Sequence, residues 1–135
     1  MDGTLPNGPL ILIVEDEDNI ALALGHKLGR EGYRLKRVAD GAEALPAIRA
    51  ETPDLVLLDV MLPQVSGYEI CQDMRADPAL AGVPILMMTA RGSAMERRKG
   101  LALGADGFVT KPFNLAELMV EVRGLLARRG EGRHV

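Results

Sequence analysis

Three carboxylates stand at places in this chain where they could meet. Glu15 and Asp16 follow the apolar run Leu10–Val14, and Asp59 follows the apolar run Leu55–Leu58. If the two runs are neighbouring parallel strands, their carboxyl ends lie side by side and the acids share one small volume. Two like charges ~4 Å apart repel by roughly 4 kcal/mol at an effective dielectric of ~20, so the gathering makes physical sense around a cation. Mg²⁺ suits the donor set, because it takes one or two carboxylates, keeps several waters and binds phosphate oxygens. Thr89, near the end of another apolar run, and Lys111, just after a further one and followed by Pro112, extend the chemistry. In an open α/β sheet, ligands collect outside the carboxyl ends of the strands. There the Thr89 hydroxyl and Lys111 ammonium could bind phosphoryl oxygens, and Asp59 could be a nucleophile that forms a mixed anhydride with phosphate. Asp16 and Asp59 could hold Mg²⁺, with Glu15 acting through a water.

Each residue also has a plainer explanation. Acids at 15–18 suit the start of a helix, where they favour the macrodipole and the cap. Thr89 alone reads as a strand-end hydroxyl bonded to backbone, and Lys111 alone as a solvated cation. Asp59 resists such a reading, since it precedes Val60-Met61-Leu62 with no helix to cap. The joint placement of all five favours chemistry. Met61, Met87 and Met88 read as packing residues, and Phe108, one of two Phe, as a buried ring. Cys71 has no partner for a disulfide or a metal site and reads as a core thiol on a helix. His26 and His134 are assigned no role.

The elements that must position these groups are legible as an alternation of strands and helices. Strand-like runs occur at Leu10–Val14, Tyr33–Val38, Leu55–Leu58, Val83–Met88 and Gly107–Thr110. The first, third and fourth are almost unbroken apolar sequence, as strands covered on both faces should be, while Arg34, Lys36 and Arg37 mark the second as an edge strand. Ser66-x-x-Glu69 and Ser93-x-x-Glu96 are capping boxes, with Asp40-x-x-Glu43 and Asn114-x-x-Glu117 as relatives. Asp18 to about Gly29 forms the remaining helix, with Ile20, Leu24 and Leu28 on one side. The last helix carries an apolar stripe of Leu115, Leu118, Met119, Val122, Leu125 and Leu126. The reading is α/β, a doubly wound parallel sheet flanked by helices.

With 135 residues, 47% of them hydrophobic, the chain fits one domain with one substantial core. Residues 1–8 read as a loose leader and 9–130 as the domain. Arg128 to Val135 read as a polar end, of which 131–135 form a tail or truncated linker. A net charge of −3 and pI near 5.4 argue against direct nucleic-acid or membrane binding. Without a signal peptide or a long apolar span, a cytoplasmic location is expected.

Four segments in order, ILIVEDED at 11–18, PDLVLLDVMLP at 53–63, PILMMTA at 84–90 and GADGFVTKPF at 104–113, resemble the receiver domains of two-component response regulators, from about Leu10 to Arg129. The resemblance implies the flavodoxin-like receiver fold, with five strands in the order 2-1-3-4-5 and five helices. It implies Asp59 as phospho-acceptor and Mg²⁺, with Mn²⁺ as a substitute, on Asp16, Asp59 and the Met61 carbonyl, with Glu15 supporting through a water. Thr89 and Lys111 would contact the phosphoryl group, and the Lys111–Pro112 bond would be cis. Thr89 and Phe108 would be the switch pair, the ring turning inward as Thr89 moves and altering the surface of the fourth helix, fifth strand and fifth helix. The donor would be a sensor histidine kinase or a histidine phosphotransfer protein, read by exposed first-helix side chains such as Asn19, Ala23, His26 and Lys27.

Output would pass to a downstream protein or a fused output domain. A phosphorylation-dependent homodimer is among the family's assemblies, but Gly107 and Glu121 stand where dimerising members carry Asp and Arg. The domain would not be an enzyme beyond slow self-catalysed phosphorylation and dephosphorylation. Two competitors share parts of the pattern. A haloacid dehalogenase-type phosphohydrolase needs a second Asp where Met61 stands. A flavodoxin-like cofactor binder needs hydroxyls and Gly amides where Glu15 to Asp18 would repel the anion.

Overall fold

The computed structural model describes residues 8–90 and 92–132. Residues 1–7 of the expected leader at 1–8, and 133–135 of the expected tail at 131–135, with His134, lie outside the described residues. Five strands, β1 (Leu10–Val14), β2 (Arg34–Val38), β3 (Leu55–Asp59), β4 (Ile85–Thr89) and β5 (Gly107–Thr110), form one parallel sheet in the order β2-β1-β3-β4-β5. Five helices connect or follow them: α1 (Asp18–Arg30), α2 (Ala44–Glu51), α3 (Gly67–Ala76), α4 (Ala94–Ala102) and α5 (Leu115–Gly132).

Side chains alternate across a strand, so each central strand feeds two cores. Leu12, Val14, Val56, Leu58, Ile85 and Met87 pack with Ile48 of α2 and with Ile70, Cys71 and Met74 of α3. Ile11, Ile13, Leu55, Leu57, Leu86 and Met88 pack with Leu24 and Leu28 of α1 and with Leu118, Met119, Val122 and Leu125 of α5. Cys71 is fully buried, its Sγ 3.5 Å from the Leu103 carbonyl, and burial pushes its thiol up in pKa. That is an inert core thiol.

Where the boundaries differ from expectation, backbone chemistry explains it. β4 begins at Ile85 because Pro84 has no N–H for a ladder; its carbonyl accepts from Val56 N–H, while Val83 N–H closes a turn to the Leu80 carbonyl. Asp40 caps a 3₁₀ turn, Gly41–Glu43, by accepting from Ala42 N–H, and α2 starts only after it. Pro46 lacks the N–H that an α-helix starting at Gly41 would aim at the Ala42 carbonyl. The Ser66 and Ser93 hydroxyls cap α3 and α4 on the Glu69 and Glu96 amides, and Asn114 Oδ1 accepts from Ala116 and Glu117. α5 runs to Gly132, through part of the expected tail; the apolar stripe read from the sequence ends at Leu126, and no proline stops the backbone there.

Candidate functional site

The parallel register brings the carboxyl ends of β1, β3, β4 and β5 to one edge. Val14 pairs with Leu58, so Glu15, one step on, stands beside Asp59, which itself pairs with Met88 as the last residue of β3. Asp59 therefore belongs to the strand end and not to the loop after it. One oxygen each from Glu15, Asp16 and Asp59 lie within 4.8 Å of one another. Lys111, directly after β5, reaches across: its Nζ is 2.6 Å from Glu15 Oε1 and 3.4 Å from Asp59 Oδ2.

The four groups are not equally placed. The Glu15 and Asp59 side chains are buried, Lys111 is nearly so, and Asp16 is exposed. Glu15 uses both oxygens, one on Lys111 and the other accepting from Glu17 N–H at 3.1 Å. Asp59 Oδ1 accepts from Met61 N–H at 3.1 Å. Burial pushes the Glu15 carboxyl up to about 7 against the pull of the Lys111 ammonium and the Glu17 amide, with Asp59 adding to the rise. Burial would lower Lys111, but its hydrogen bond to Glu15 and the Asp59 charge outweigh it and hold it above its ordinary value. Lys111 is thus a fixed cation at neutral pH. Three acids against one ammonium leave the cluster short of positive charge, and its hard oxygen donors fit a divalent ion of the Mg²⁺ class.

Thr89 ends β4 fully buried, one residue beyond the partner of Asp59, and its carbonyl accepts from Lys111 N–H at 2.8 Å. The Lys111–Pro112 bond is cis. The Met61 side chain is half exposed, and its backbone reaches the cluster through the N–H that Asp59 Oδ1 accepts. Phe108 is 4% exposed: the ring already lies inside. It occupies space left by Gly100 of α4, where an added Cβ would sit 3.2 Å from ring Cδ2 and 2.7 Å from Met87 Sδ. An inward turn triggered by phosphorylation therefore does not start from this arrangement. Among the first-helix side chains, Asn19, Ala23 and His26 are exposed and Lys27 is half-buried. Asn19 and Ala23 line a cleft of about 530 Å³ that ends at Lys111, Pro112 and Phe113.

Three supports were not read from the sequence. Gly67 starts α3 so close to the end of β3 that a Cβ there would meet the Asp59 carbonyl oxygen at 2.4 Å, while its own N–H donates to the Val60 carbonyl. Arg37, read only as an edge-strand charge, holds the Glu15 carbonyl. Tyr68 donates to the Glu96 carboxylate under the ring's contact with Lys99, joining α3 to α4. A serine-capped glycine just after the loop that follows β3 was the only one of these signals visible in sequence.

The comparisons with known proteins agree with this geometry. The response regulator receiver domain matches residues 11–123. The chain is 44% identical over 120 residues to the phosphate regulon transcriptional regulatory protein PhoB of Rhizobium meliloti strain 1021, covering 89% of this chain and 53% of that protein. It spans about half the length of the curated relatives it matches. A CheY-like receiver domain protein of Methanospirillum hungatei JF-1 superposes with a TM-score of 0.87 at 28% identity, over 93% of this chain and 99% of that one. The receiver domain of sensor histidine kinase PA1611 of Pseudomonas aeruginosa PAO1, solved with a magnesium ion coordinated in the active site cleft, gives 0.82 at 32% identity, over 89% and 98%. No helix among the described residues is long and apolar enough to cross a membrane. Sheet order, acidic cluster and sequence match agree: the chain belongs to the response regulator receiver domains of two-component signalling.

Proposed function

We propose that Asp59 accepts a phosphoryl group from a phosphohistidine on a sensor histidine kinase or a histidine phosphotransfer protein, and that the resulting acyl phosphate is the signal. The observation that carries this reading is the convergence of Glu15, Asp16 and Asp59 within 4.8 Å beside the Lys111 ammonium. An Asp59 carboxylate oxygen forms the new P–O bond as the P–N bond to the donor imidazole breaks, and the imidazole leaves with the electron pair. Charge in such a transfer spreads over the equatorial phosphoryl oxygens, so catalysis is mostly positioning and electrostatics. Lys111 is the fixed cation beside the acceptor, and the Thr89 hydroxyl is the donor on the neighbouring strand end. Asp16, Asp59 and the Met61 carbonyl are the residues that would hold Mg²⁺ or Mn²⁺, and the bound ion would supply charge compensation for the phosphoryl oxygens. Glu15, with both oxygens engaged by Lys111 and Glu17, fits an indirect role through water.

The donor docks, in this reading, on the cleft between α1 and the Lys111–Phe113 segment, where Ile20, Ala23, Pro112 and Phe113 offer apolar contact next to Lys111. The consequence of phosphorylation is a changed α4-β5-α5 surface through Thr89. Because Phe108 is already inside, the ring's inward state belongs to an equilibrium that phosphorylation biases. A full reversal from 1:99 to 99:1 would take ~5.5 kcal/mol of differential stabilisation. PhoB of Rhizobium meliloti is a transcriptional regulatory protein of which this chain covers 53%, which supports a second version of the reading, in which this domain controls a fused output domain. Turnover stays limited to slow loss of its own phosphoryl group, since Met61 stands where a phosphohydrolase would need its second acid. Acetyl phosphate with Mg²⁺ tests the assignment: the native chain should label, and Asp59→Asn should not, with an unchanged circular dichroism spectrum. Undiminished labelling of that variant refutes it.

A further inference from the structure

The Asp16 carboxylate is exposed, and no hydrogen bond or ion pair to another described residue holds it. Among the described residues, its position is set through its backbone. On one side Glu15 N–H continues the β1–β2 ladder to the Val38 carbonyl at 3.1 Å, and on the other Glu17 N–H is tied to Glu15 Oε2. Between these anchors lies the Glu15–Asp16 peptide, and Arg37 grips it. Arg37 Nε and Nη2 both donate to the Glu15 carbonyl, at 3.0 and 2.9 Å, while Nη1 is 2.8 Å from Asp18 Oδ1 at the start of α1.

The reach follows from the register. Arg37 pairs with Ile13, whose side chain packs in the α1–α5 core, so Arg37 emerges on the α1 side, two residues before the acid pair. A carbonyl offers two lone pairs, and a rigid planar fork that fills both fixes the plane of its peptide. The third arm adds little, because Asp18 is 90% exposed and such pairs are weak.

We propose that Arg37 is a positioning residue for phosphoryl transfer: by clamping the Glu15 carbonyl it sets the peptide from which Asp16 faces Asp59. This rests on the reading that Asp16 and Asp59 hold the cation. Arg37 touches neither substrate nor ion and acts only through that peptide.

The test is Mn²⁺ binding, followed as the free-ion electron paramagnetic resonance signal, in R37M, R37K, D18N, D16N and D59N, with urea unfolding of each. R37M keeps the apolar stem and loses the fork. Its dissociation constant should rise five- to tenfold; R37K, with one point donor, should fall between it and the native chain, and D18N should stay within twofold of native. Acetyl phosphate labelling of R37M should be slow at limiting Mg²⁺ and return to within twofold of native at saturation. A residue that only steadies the edge strand would lower the unfolding midpoint and leave the metal constant where it was. An R37M constant within twofold of native overturns the proposal. If R37M does not fold, R37K carries the measurement, and a change below twofold overturns it there. D16N and D59N separate the two failures: if they too bind Mn²⁺ as the native chain does, the metal reading itself has failed.

Discussion

Glu15→Gln keeps the shape of a fully buried side chain and removes one of three negative charges from the site. Burial holds this carboxyl at about 7 instead of 4.5. A tenfold change in proton affinity corresponds to about 1.4 kcal/mol, so the gap is worth about 3 kcal/mol. The sign follows from linkage. The folded pKa lies above the unfolded one, so the contribution is fully present below about pH 4.5 and is lost as the pH rises through about 7. The metal-free native protein should therefore lose about 2–3 kcal/mol between pH 5 and pH 8 that the variant keeps, since glutamine does not titrate. Urea unfolding in EDTA at several pH values reads the difference; titrating groups away from Glu15 cancel because both chains share them, and Lys111, held above its ordinary value, stays charged across this window. The two proteins should be equally stable near pH 5, with the variant ahead at pH 8. Millimolar Mg²⁺ should close the gap by binding the ionised native site. A stability difference that does not change with pH, or that favours the native chain at pH 8, refutes the reasoning.

Lys111→Met removes the ammonium that competes for the carboxylates, so Mg²⁺ affinity by calorimetry should hold or rise while acetyl phosphate labelling slows at least tenfold; parallel loss of both would contradict the role given to Lys111. Gly67→Ala forces a methyl against the Asp59 carbonyl and should destabilise by about 1–3 kcal/mol in urea unfolding, together with slower labelling. Tyr68→Phe removes a hydrogen bond to a carboxylate, worth about 1.5–3 kcal/mol. Hydrogen exchange should then rise in α4 with β1 and β3 unchanged, and unaltered α4 protection would show that the contact does not anchor the helix.

The strands were readable because Leu10–Val14, Leu55–Leu58 and Ile85–Met88 lie in the middle of the sheet, covered on both faces, and no polar residue interrupts them. The site was readable for a related reason: Glu15, Asp59, Thr89 and Lys111 stand at or just past strand ends, and a parallel sheet gathers those ends wherever the helices go. What escaped the sequence reading involves groups far apart in the chain or details of backbone. Arg37 looks like any solvated edge-strand charge until the ladder places it beside Glu15. Tyr68 and Glu96 sit 28 residues apart on helices whose approach no local pattern encodes. The 3₁₀ turn before α2 needed Pro46 to be read against the carbonyl four residues earlier. The buried Phe108 ring needed the gap that Gly100 leaves across from it.

The central claim is that one carboxylate becomes an acyl phosphate. Borohydride reduces an aspartyl phosphate to homoserine and a glutamyl phosphate to 5-hydroxynorvaline, so the chain should be treated with acetyl phosphate and Mg²⁺, reduced and mapped by peptide mass spectrometry. Homoserine is expected at position 59 with no other acid reduced; homoserine at Asp16, 5-hydroxynorvaline at Glu15, or no reduced acid anywhere under conditions that label the protein, would contradict the claim.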